Sequence, residues 1–253
     1  MNQRAFVLVL VLSSFAATGA WAQQARPGEW HYLVEPYLML PNMKGEVGLA
    51  DLPPASVDED PGDIFSHLQM GAMFYFEANN GTWMFSSDLL YMDLESDLSP
   101  REGVIEGKAR MSQVGFELAA MRRISDWLEL GASVVYNKID ADVNMTFDTV
   151  LGTNTRRLSM TEDWIDPTFV MRGTFPFGDK WRGQLRANIG GFGIGSDVFW
   201  QLQADVVYQH SEKWQFTFGY RLIDFAYDQG DGLDRFRYDM QNFGPVLKAG
   251  YRF

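Results

Sequence analysis

The sequence has no cysteine and, beyond its N-terminus, no long run of apolar residues. Without cysteine, the 253-residue chain cannot be a disulfide-stapled scaffold. A polytopic helical membrane protein needs segments of about 20 apolar residues, and none follows the N-terminus. Aromatic residues make up 15% of the chain, which excludes intrinsic disorder. The composition therefore indicates a folded protein that places many large apolar rings without using apolar helices.

Positive charge is also scarce. The chain has 21 Lys and Arg residues against 33 Asp and Glu residues, and its formal net charge is -12 at pH 7. A protein of this charge repels the phosphate groups of DNA and RNA. We therefore expect no nucleic-acid partner.

The one apolar stretch of note lies at the N-terminus and predicts a targeting segment. Arg4 precedes this stretch, and the small-residue pattern Ala20-Trp21-Ala22 follows it. A positive region, a short apolar core and a small-residue site are typical of a secretory signal peptide. A buried N-terminal helix would leave this order unexplained. We expect cleavage after residues 1–22 and export of residues 23–253 as one domain.

Elsewhere, apolar and polar residues alternate with a period of two. In the segment 214–222, every second residue from Trp214 onward is apolar, and the residues between them are Gln, Thr, Gly and Arg. The segments 70–76, 114–120 and 198–206 repeat the pattern. Successive side chains of a β-strand point to opposite faces, so the pattern predicts strands with one apolar and one polar face.

Five tryptophans open predicted strands, each directly after a short polar turn rich in Asn, Gly, Asp or Ser. They are Trp30, Trp83, Trp127, Trp181 and Trp214. Turn chemistry explains the hairpins but not the tryptophans. Indole favours the boundary between water and lipid, so these residues predict an interfacial girdle.

The hairpins add up to ten strands, although an eight-strand count stays open if one hairpin is misread. The predicted strands are 30–40, 67–78, 82–94, 110–124, 127–147, 160–176, 181–192, 197–210, 214–227 and 240–253. Short turns lie at one end. The longer connections 41–66, 95–109, 148–159 and 228–239 lie at the other, where the Gly-rich link 190–196 is the one short exception. This asymmetry is typical of outer-membrane barrels, whose short turns are periplasmic and whose longer loops are external.

The C-terminal strand carries the most specific signal. Its apolar residues alternate up to the end, which reads Tyr251-Arg252-Phe253. This strand resembles the terminal strand of bacterial outer-membrane β-barrels, and the resemblance implies that Tyr251 and Phe253 serve as an insertion signal read by the barrel-insertion machinery. The size matches small barrels of the OmpA and OmpW class. The segment 190–200 with Gly244-Pro245 also resembles an uncharacterised family of small envelope barrels, which implies no activity.

These features predict an all-β fold, an antiparallel transmembrane β-barrel. The alternative is a soluble sandwich or lipocalin-like barrel, which buries its apolar face inside. A small closed barrel cannot hold this many aromatic rings in its lumen. Placing the rings outside requires lipid, so we expect a protein of the outer membrane. Closure leaves no free strand edge, so we expect a monomer.

If the rings face lipid, the alternating residues line the lumen. The predicted lumen charges are Glu35, Glu77, Asp88, Glu117, Glu129, Asp166, Arg172, Arg182, Arg186, Asp205, Arg221, Lys248 and Arg252. Acidic residues dominate the first five strands and basic residues the last five. The charges either form ion pairs that fill a closed barrel or create a transverse field across a thin pore. Inward-facing methionines add apolar filling, namely Met73, Met84, Met92 and Met121.

Residues suited to catalysis or metal binding are few. The chain has only three histidines, and none forms a recognisable constellation with a nucleophile and a carboxylate. His67 follows Ser66, but on a strand the two side chains would diverge. The first long connection is acidic, with Asp51, Asp58, Glu59, Asp60 and Asp63, and we interpret it as solvated rather than as a cation site. We therefore expect no enzyme, cofactor or metal.

Three functions follow, in order of preference. The first is a narrow porin-like channel for small solutes. The second is a sealed barrel with a structural or surface-interaction role. The third is a membrane enzyme. In the first connection, Ile64, Phe65 and Leu68 also suggest a turn that docks into the barrel mouth as a plug.

Overall fold

The computed structural model describes residues 28–49, 54–98, 104–149, 152–232 and 235–253. The predicted signal peptide, residues 1–22, lies outside the described residues. Twelve strands and one helix account for nearly all of the described residues. They are β1 His31–Met39, β2 Asn42–Leu49, β3 Ala55–Glu59, α1 Pro61–His67, β4 Leu68–Asn79, β5 Trp83–Leu98, β6 Val104–Arg123, β7 Leu128–Thr149, β8 Gly152–Pro176, β9 Trp181–Gly191, β10 Val198–Gln209, β11 Trp214–Gln229 and β12 Phe236–Arg252.

The twelve strands form one antiparallel sheet, and ten of them close into a barrel. Around the barrel, β1 is followed by β4 to β12 in chain order, and β12 pairs back with β1, with Leu33 opposite Arg252. Closure gives every barrel strand two neighbours, whereas β3, outside the closed ring, pairs only with β2. The predicted ten-strand antiparallel barrel is confirmed, and the eight-strand count is excluded.

Strands β1 and β2 act as one long strand with an interruption at Leu40 and Pro41. β1 pairs with the C-terminal half of β12, and β2 pairs with its N-terminal half. At the interruption the chain passes so close to Gly244 that a Cβ there would lie 2.0 Å from the carbonyl oxygen of Leu40. Only glycine fits this position, which explains the Gly244-Pro245 sequence.

The structure corrects the bounds of the longer connections. The links between β5 and β6, β7 and β8, and β11 and β12 are only 99–103, 150–151 and 230–235, because the strands continue past the predicted ends. The first connection holds the β2–β3 hairpin and α1. Alternation of apolar residues on the outer face marks strands only where that face meets lipid, so the sequence underestimates strands that continue into water.

The polarity of the outward side chains changes along the strands and divides the barrel into two regions. From the short turns, outward positions other than Ser87 and Arg122 are apolar as far as Tyr91, Val114, Tyr136, Ile165, Leu222 and Phe243. The next outward residues are Asp93, Ser112, Lys138, Asp163, Asp224 and Gln241. We call the first region the membrane belt. The region beyond it, with β2, β3 and α1, is the outer extension. Among the described residues, no helix is long and apolar enough to cross a bilayer.

Candidate functional site in the barrel lumen

The predicted lumen charges lie on the inward positions of their strands. Eight are buried, namely Glu35, Glu117, Glu129, Asp166, Arg172, Arg186, Arg221 and Lys248. The other five are partly buried: Glu77, Asp88, Arg182, Asp205 and Arg252. Most of them meet partners from distant strands, and their arrangement forms the candidate site.

Arg172 bridges a carboxylate on the neighbouring strand and a carboxylate across the lumen. Its Nη1 donates a hydrogen bond to Glu77 of β4 at 2.6 Å, and its Nε donates to Glu129 of β7 at 2.7 Å. Arg123 also donates to Glu129, at 3.1 Å. β4 and β8 are four strands apart around a ring of ten, so the contact between Glu77 and Arg172 crosses the lumen. The guanidinium of Arg172 therefore occupies the lumen between its two acidic partners.

A second crossing joins β5 to β11. Arg221 donates from Nη2 to Asp88 at 2.6 Å and from Nε to Gln203 at 2.6 Å. The hydroxyl of Tyr37 donates to the other oxygen of Asp88, also at 2.6 Å, and Arg221 lies 5.1 Å from the ring centre of Tyr37. Because four side chains share these bonds, breaking the pair would leave several buried polar groups unsatisfied.

A third group connects β6 to β9. The Nη2 of Arg186 donates to Glu117 at 2.7 Å, and the side-chain nitrogen of Asn188 donates to the same oxygen at 2.6 Å. Asn188 also donates to the hydroxyl of Ser133, which is itself hydrogen-bonded to Thr168. The group thus links strands β6, β7, β8 and β9 through buried polar side chains.

Near the short-turn end, basic residues meet neutral amides. Arg182 and Arg252 both donate to the side-chain oxygen of Gln215, at 2.5 and 3.0 Å, and Gln215 donates to Glu35 at 2.7 Å. The ammonium group of Lys248 lies 4.9 Å from the ring centre of Tyr75, a cation–π distance. This end of the lumen is the more basic one.

Asp166 and Asp205 also form no ion pair with any described residue and bond to uncharged groups. Asp166 accepts hydrogen bonds from the backbone and hydroxyl of Ser196, at 2.6 and 2.8 Å, and from the indole of Trp164 at 3.0 Å. It therefore fixes the tight turn between β9 and β10. Asp205 accepts from Gln203 at 2.7 Å, while its other oxygen is buried without a partner.

Above the charged region, the lumen becomes apolar. A buried cluster in the outer extension includes Trp164, Tyr227, Phe236 and Tyr238, and the rings of Trp164 and Tyr227 stack at 4.2 Å. Ile64 of α1 is buried in the same cluster, so the first connection does dock into the barrel. Water surrounds this region on the outside, which drives its apolar side chains inward.

The four predicted inward methionines divide between these regions. Met92 belongs to the apolar cluster of the outer extension, and Met73 packs on Leu33, Tyr37 and neighbours. Met84 and Met121 form a separate cluster with Ala119 and Val170. All four therefore pack against other side chains.

The outer face of the extension carries ion pairs of its own. Arg110 donates to both oxygens of Asp93, at 2.9 and 2.5 Å, and these hydrogen bonds lower the pKa of Asp93. Inside the extension, burial raises the pKa of Tyr238 to about 12, although the amides of Asn242 and Gln113 oppose the rise. The raised pKa of Tyr238 fits a dry interior of the extension.

Ser66 and His67 do not form a nucleophile–base pair. Ser66 and His67 lie in α1, not on a strand, so their side chains come within 3.4 Å instead of diverging as predicted. However, Nδ1 of His67 lies 2.9 Å from the carbonyl oxygen of Asp63 and donates to it. It cannot then accept the proton of Ser66, whose hydroxyl bonds to the same carbonyl.

Two acidic side chains of the first connection have structural partners. Asp60 caps α1 by accepting from the backbone of Asp63 at 3.0 Å, and Asp58 pairs with Lys44 at 3.4 Å. Asp51 lies outside the described residues. Within the described part of the chain, no group of three or more His, Asp or Glu side chains is placed to hold a metal ion.

The predicted girdle tryptophans all lie at the short-turn end with exposed rings. Trp30 and Trp83 pack beside Phe85, and Trp214 packs edge-on against Tyr251. The rings of Tyr251 and Phe253 lie in the same band. The sequence did not indicate the roles of Tyr37, Trp164 and the inward amides, because a single aromatic or amide residue at an inward position carries no distinctive pattern.

A closed ten-strand barrel with an apolar, aromatic outer belt and a polar lumen has the fold of outer-membrane β-barrels. No protein family and no curated protein matches the sequence. Among solved structures, the chain is similar to the outer membrane protease OmpT from Escherichia coli, with a TM-score of 0.51 and 8% identity over 89% of this chain and 97% of that one.

Two further likenesses are weaker. Ail, the attachment invasion locus protein of Yersinia pestis, has a TM-score of 0.39 and 10% identity, over 88% of this chain and 98% of that one. A FadL homologue from Pseudomonas aeruginosa has a TM-score of 0.40 and 9% identity, over 88% and 90%. At 8% identity, the similarity to the OmpT structure bears on the barrel fold alone.

Proposed function

We propose that the protein is an integral outer-membrane barrel whose lumen is sealed by ion pairs and whose outer extension is the surface that interacts with partners. The observation that carries this proposal is the position of Arg172 between Glu77 and Glu129. A ten-strand barrel has a narrow interior, and this guanidinium and its partners occupy it from two sides. The layer formed by Asp88, Tyr37 and Arg221 adds a second obstruction.

The surface role rests on the outer extension. Its wall stands above the apolar belt, with charged residues on the outside and an apolar cluster inside that includes Ile64 of α1. Such a packed core gives a rigid platform, and rigid elements hold recognition residues in place. Function at this surface needs no passage through the lumen.

Planar-bilayer conductance tests the seal. The purified protein should give no current steps at any voltage at which the bilayer is stable. The paired substitution Asp88→Ser with Arg221→Ser removes one obstruction without leaving an unpaired charge. As the matched control, Asp228→Ser with Arg235→Ser removes an exposed pair in the outer extension.

A narrow channel is the second candidate, and the basic short-turn end of the lumen favours it. Arg182 and Arg252 contact the neutral Gln215 and face the lumen. Steady current steps from the wild-type protein would overturn the sealed barrel. In that case, neutralising Arg182, Arg186 and Arg221 should change ion selectivity.

A further inference from the structure

A cavity of about 70 Å³ lies within the lumen where the membrane belt meets the outer extension. Asp88, Glu117 and Arg221 lie on its belt side, and these charges are paired within the ion network. On the side of the extension, Phe199 and Phe225 of the apolar cluster form the wall. The cavity thus has paired charged side chains on its belt side and apolar side chains on the side of the extension.

Three buried amide side chains line this cavity, and each has a polar atom without a hydrogen-bond partner. These atoms are Oε1 of Gln113, Nδ2 of Asn137 and Oδ1 of Asn242. The three residues are 4%, 1% and 8% exposed. An unsatisfied buried polar atom destabilises the folded state, so native proteins rarely keep several around one space. Three such atoms on residues that line one cavity indicate that the cavity takes a hydrogen-bonding guest.

Gly115 leaves part of this space open. It lies on an inward position of β6, and a Cβ there would meet only Asn137 at 3.8 Å and Leu90 at 3.9 Å, which are ordinary contact distances. Neither backbone geometry nor crowding therefore requires glycine. A glycine inside a strand weakens it and often marks a site that a ligand approaches closely.

Methionine side chains make the wall adaptable. Met39, Met43, Met73 and Met92 line the cavity. Methionine is unbranched and polarisable, so it repacks around guests of differing shape at low cost. An engineered cavity of about 150 Å³ holds benzene, so this cavity accepts a guest of about that size only when the methionines shift.

We propose that this cavity is a binding site for a small uncharged organic molecule that carries a hydroxyl or amide group on an apolar body. The amides supply donors and acceptors for the polar group, whereas the methionines and phenylalanines surround the apolar body. A charged guest is disfavoured because the charged side chains on the belt side, Asp88, Glu117 and Arg221, are already paired. Water alone would satisfy the amides but would gain nothing from the apolar wall.

Binding of phenol to the full barrel in lipid nanodiscs tests the site, with benzene as the probe that lacks the hydroxyl group. Methionine methyl groups labelled with ¹³C report on it by NMR, and single Met→Leu substitutions assign their signals. Phenol should shift the signals of Met39, Met43, Met73 and Met92 in a saturable way. Met84 and Met121, in a separate cluster, are the internal control and should not move. Benzene should bind at least tenfold more weakly.

Two variants should weaken or abolish the binding of phenol. Gly115→Leu fills the cavity and should abolish the saturable shifts while the signals of Met84 and Met121 stay in place. Asn137→Leu should weaken phenol about tenfold and leave benzene unchanged, because it removes a hydrogen-bonding group. If Gly115→Leu does not fold, Gly115→Ala adds only the methyl group that fits and should weaken phenol severalfold.

Three results would overturn the proposal. The first is the absence of any saturable shift up to the solubility limit of phenol, which would leave water as the occupant. The second is an equal shift of Met84 and Met121, which would indicate partition into lipid. The third is unchanged binding in the folded Gly115 and Asn137 variants.

Discussion

The membrane belt and the outer extension are built from the same strands with opposite polarity. In the belt, Phe218 faces outward while Arg221 faces the lumen; farther along the same strand, Asp224 faces outward and Phe225 faces inward. Side-chain alternation continues without a break, so the reversal comes from the surroundings. Lipid accepts apolar side chains on the outside, whereas water drives them to the inside.

This difference shows what stabilises each region. In the belt, an apolar side chain gains little by leaving lipid for the lumen, so specificity comes from the buried ion pairs. In the extension, apolar burial supplies the stability and surface ion pairs add little. Replacing an apolar side chain by a charged one, or the reverse, should therefore change the free energy of unfolding by different amounts in the two regions.

The largest effect is expected from Arg172→Met. It leaves Glu77 and Glu129 buried without their shared cation, and loss of one partner of a buried ion pair costs about 3–5 kcal/mol. Reversible urea unfolding in lipid vesicles measures this loss. The control is Arg172→Met combined with Glu77→Gln and Glu129→Gln, which removes the stranded charges and should recover most of the stability. Equal stability of the single and triple variants would contradict a belt specified by ion pairs.

The second prediction places an arginine on the outward face of β11 in each of the two regions. Phe218→Arg places a charge in the lipid-facing middle of β11 and should cost about 2–4 kcal/mol. Ala226→Arg makes the same change on the outward face of β11 in the extension and should cost less than about 1 kcal/mol. Urea unfolding in vesicles again gives both values. Similar costs at the two positions would place the membrane boundary elsewhere.

The smallest effect is a pH dependence of the extension. Hydrogen bonds from Arg110 lower the pKa of Asp93 in the folded protein. Their contribution is present above the ordinary Asp value of about 4 and is lost as the pH falls through the lowered pKa. Because Arg110 is exposed, water and salt reduce the contribution. Asp93→Asn should slightly reduce the loss in free energy of unfolding between about pH 6 and about pH 3. Unfolding measured at these two pH values gives the difference. An unchanged profile would show that the pair adds no stability.

Part of the candidate site could be predicted from the sequence. Alternation along β11 and β12 assigns residues such as Arg221 and Lys248 to the lumen, because one face meets lipid and the other cannot. It does not predict that Arg221 meets Asp88, since that contact depends on which strands lie opposite each other after closure. The role of Asp166 in the turn between β9 and β10 was missed for the same reason.

The extension was the least predictable part. Beyond Tyr91 and Leu222, outward positions become polar, so the signal that identified the strands in the belt disappears there. The β2–β3 hairpin includes charged residues such as Lys44 and Asp58, which suggested a solvated connection. Only pairing with β12 shows that β2 continues the barrel wall.

The sequence by itself determined the barrel, its membrane belt and its girdle of tryptophans, because lipid on one face imposes a period of two that can be read along the chain. The tertiary structure decided the rest. Closure brought Arg172 between Glu77 and Glu129, and it placed Gln113, Asn137 and Asn242 around one cavity. Contacts across a lumen join residues far apart in sequence, and no local pattern records which of them meet.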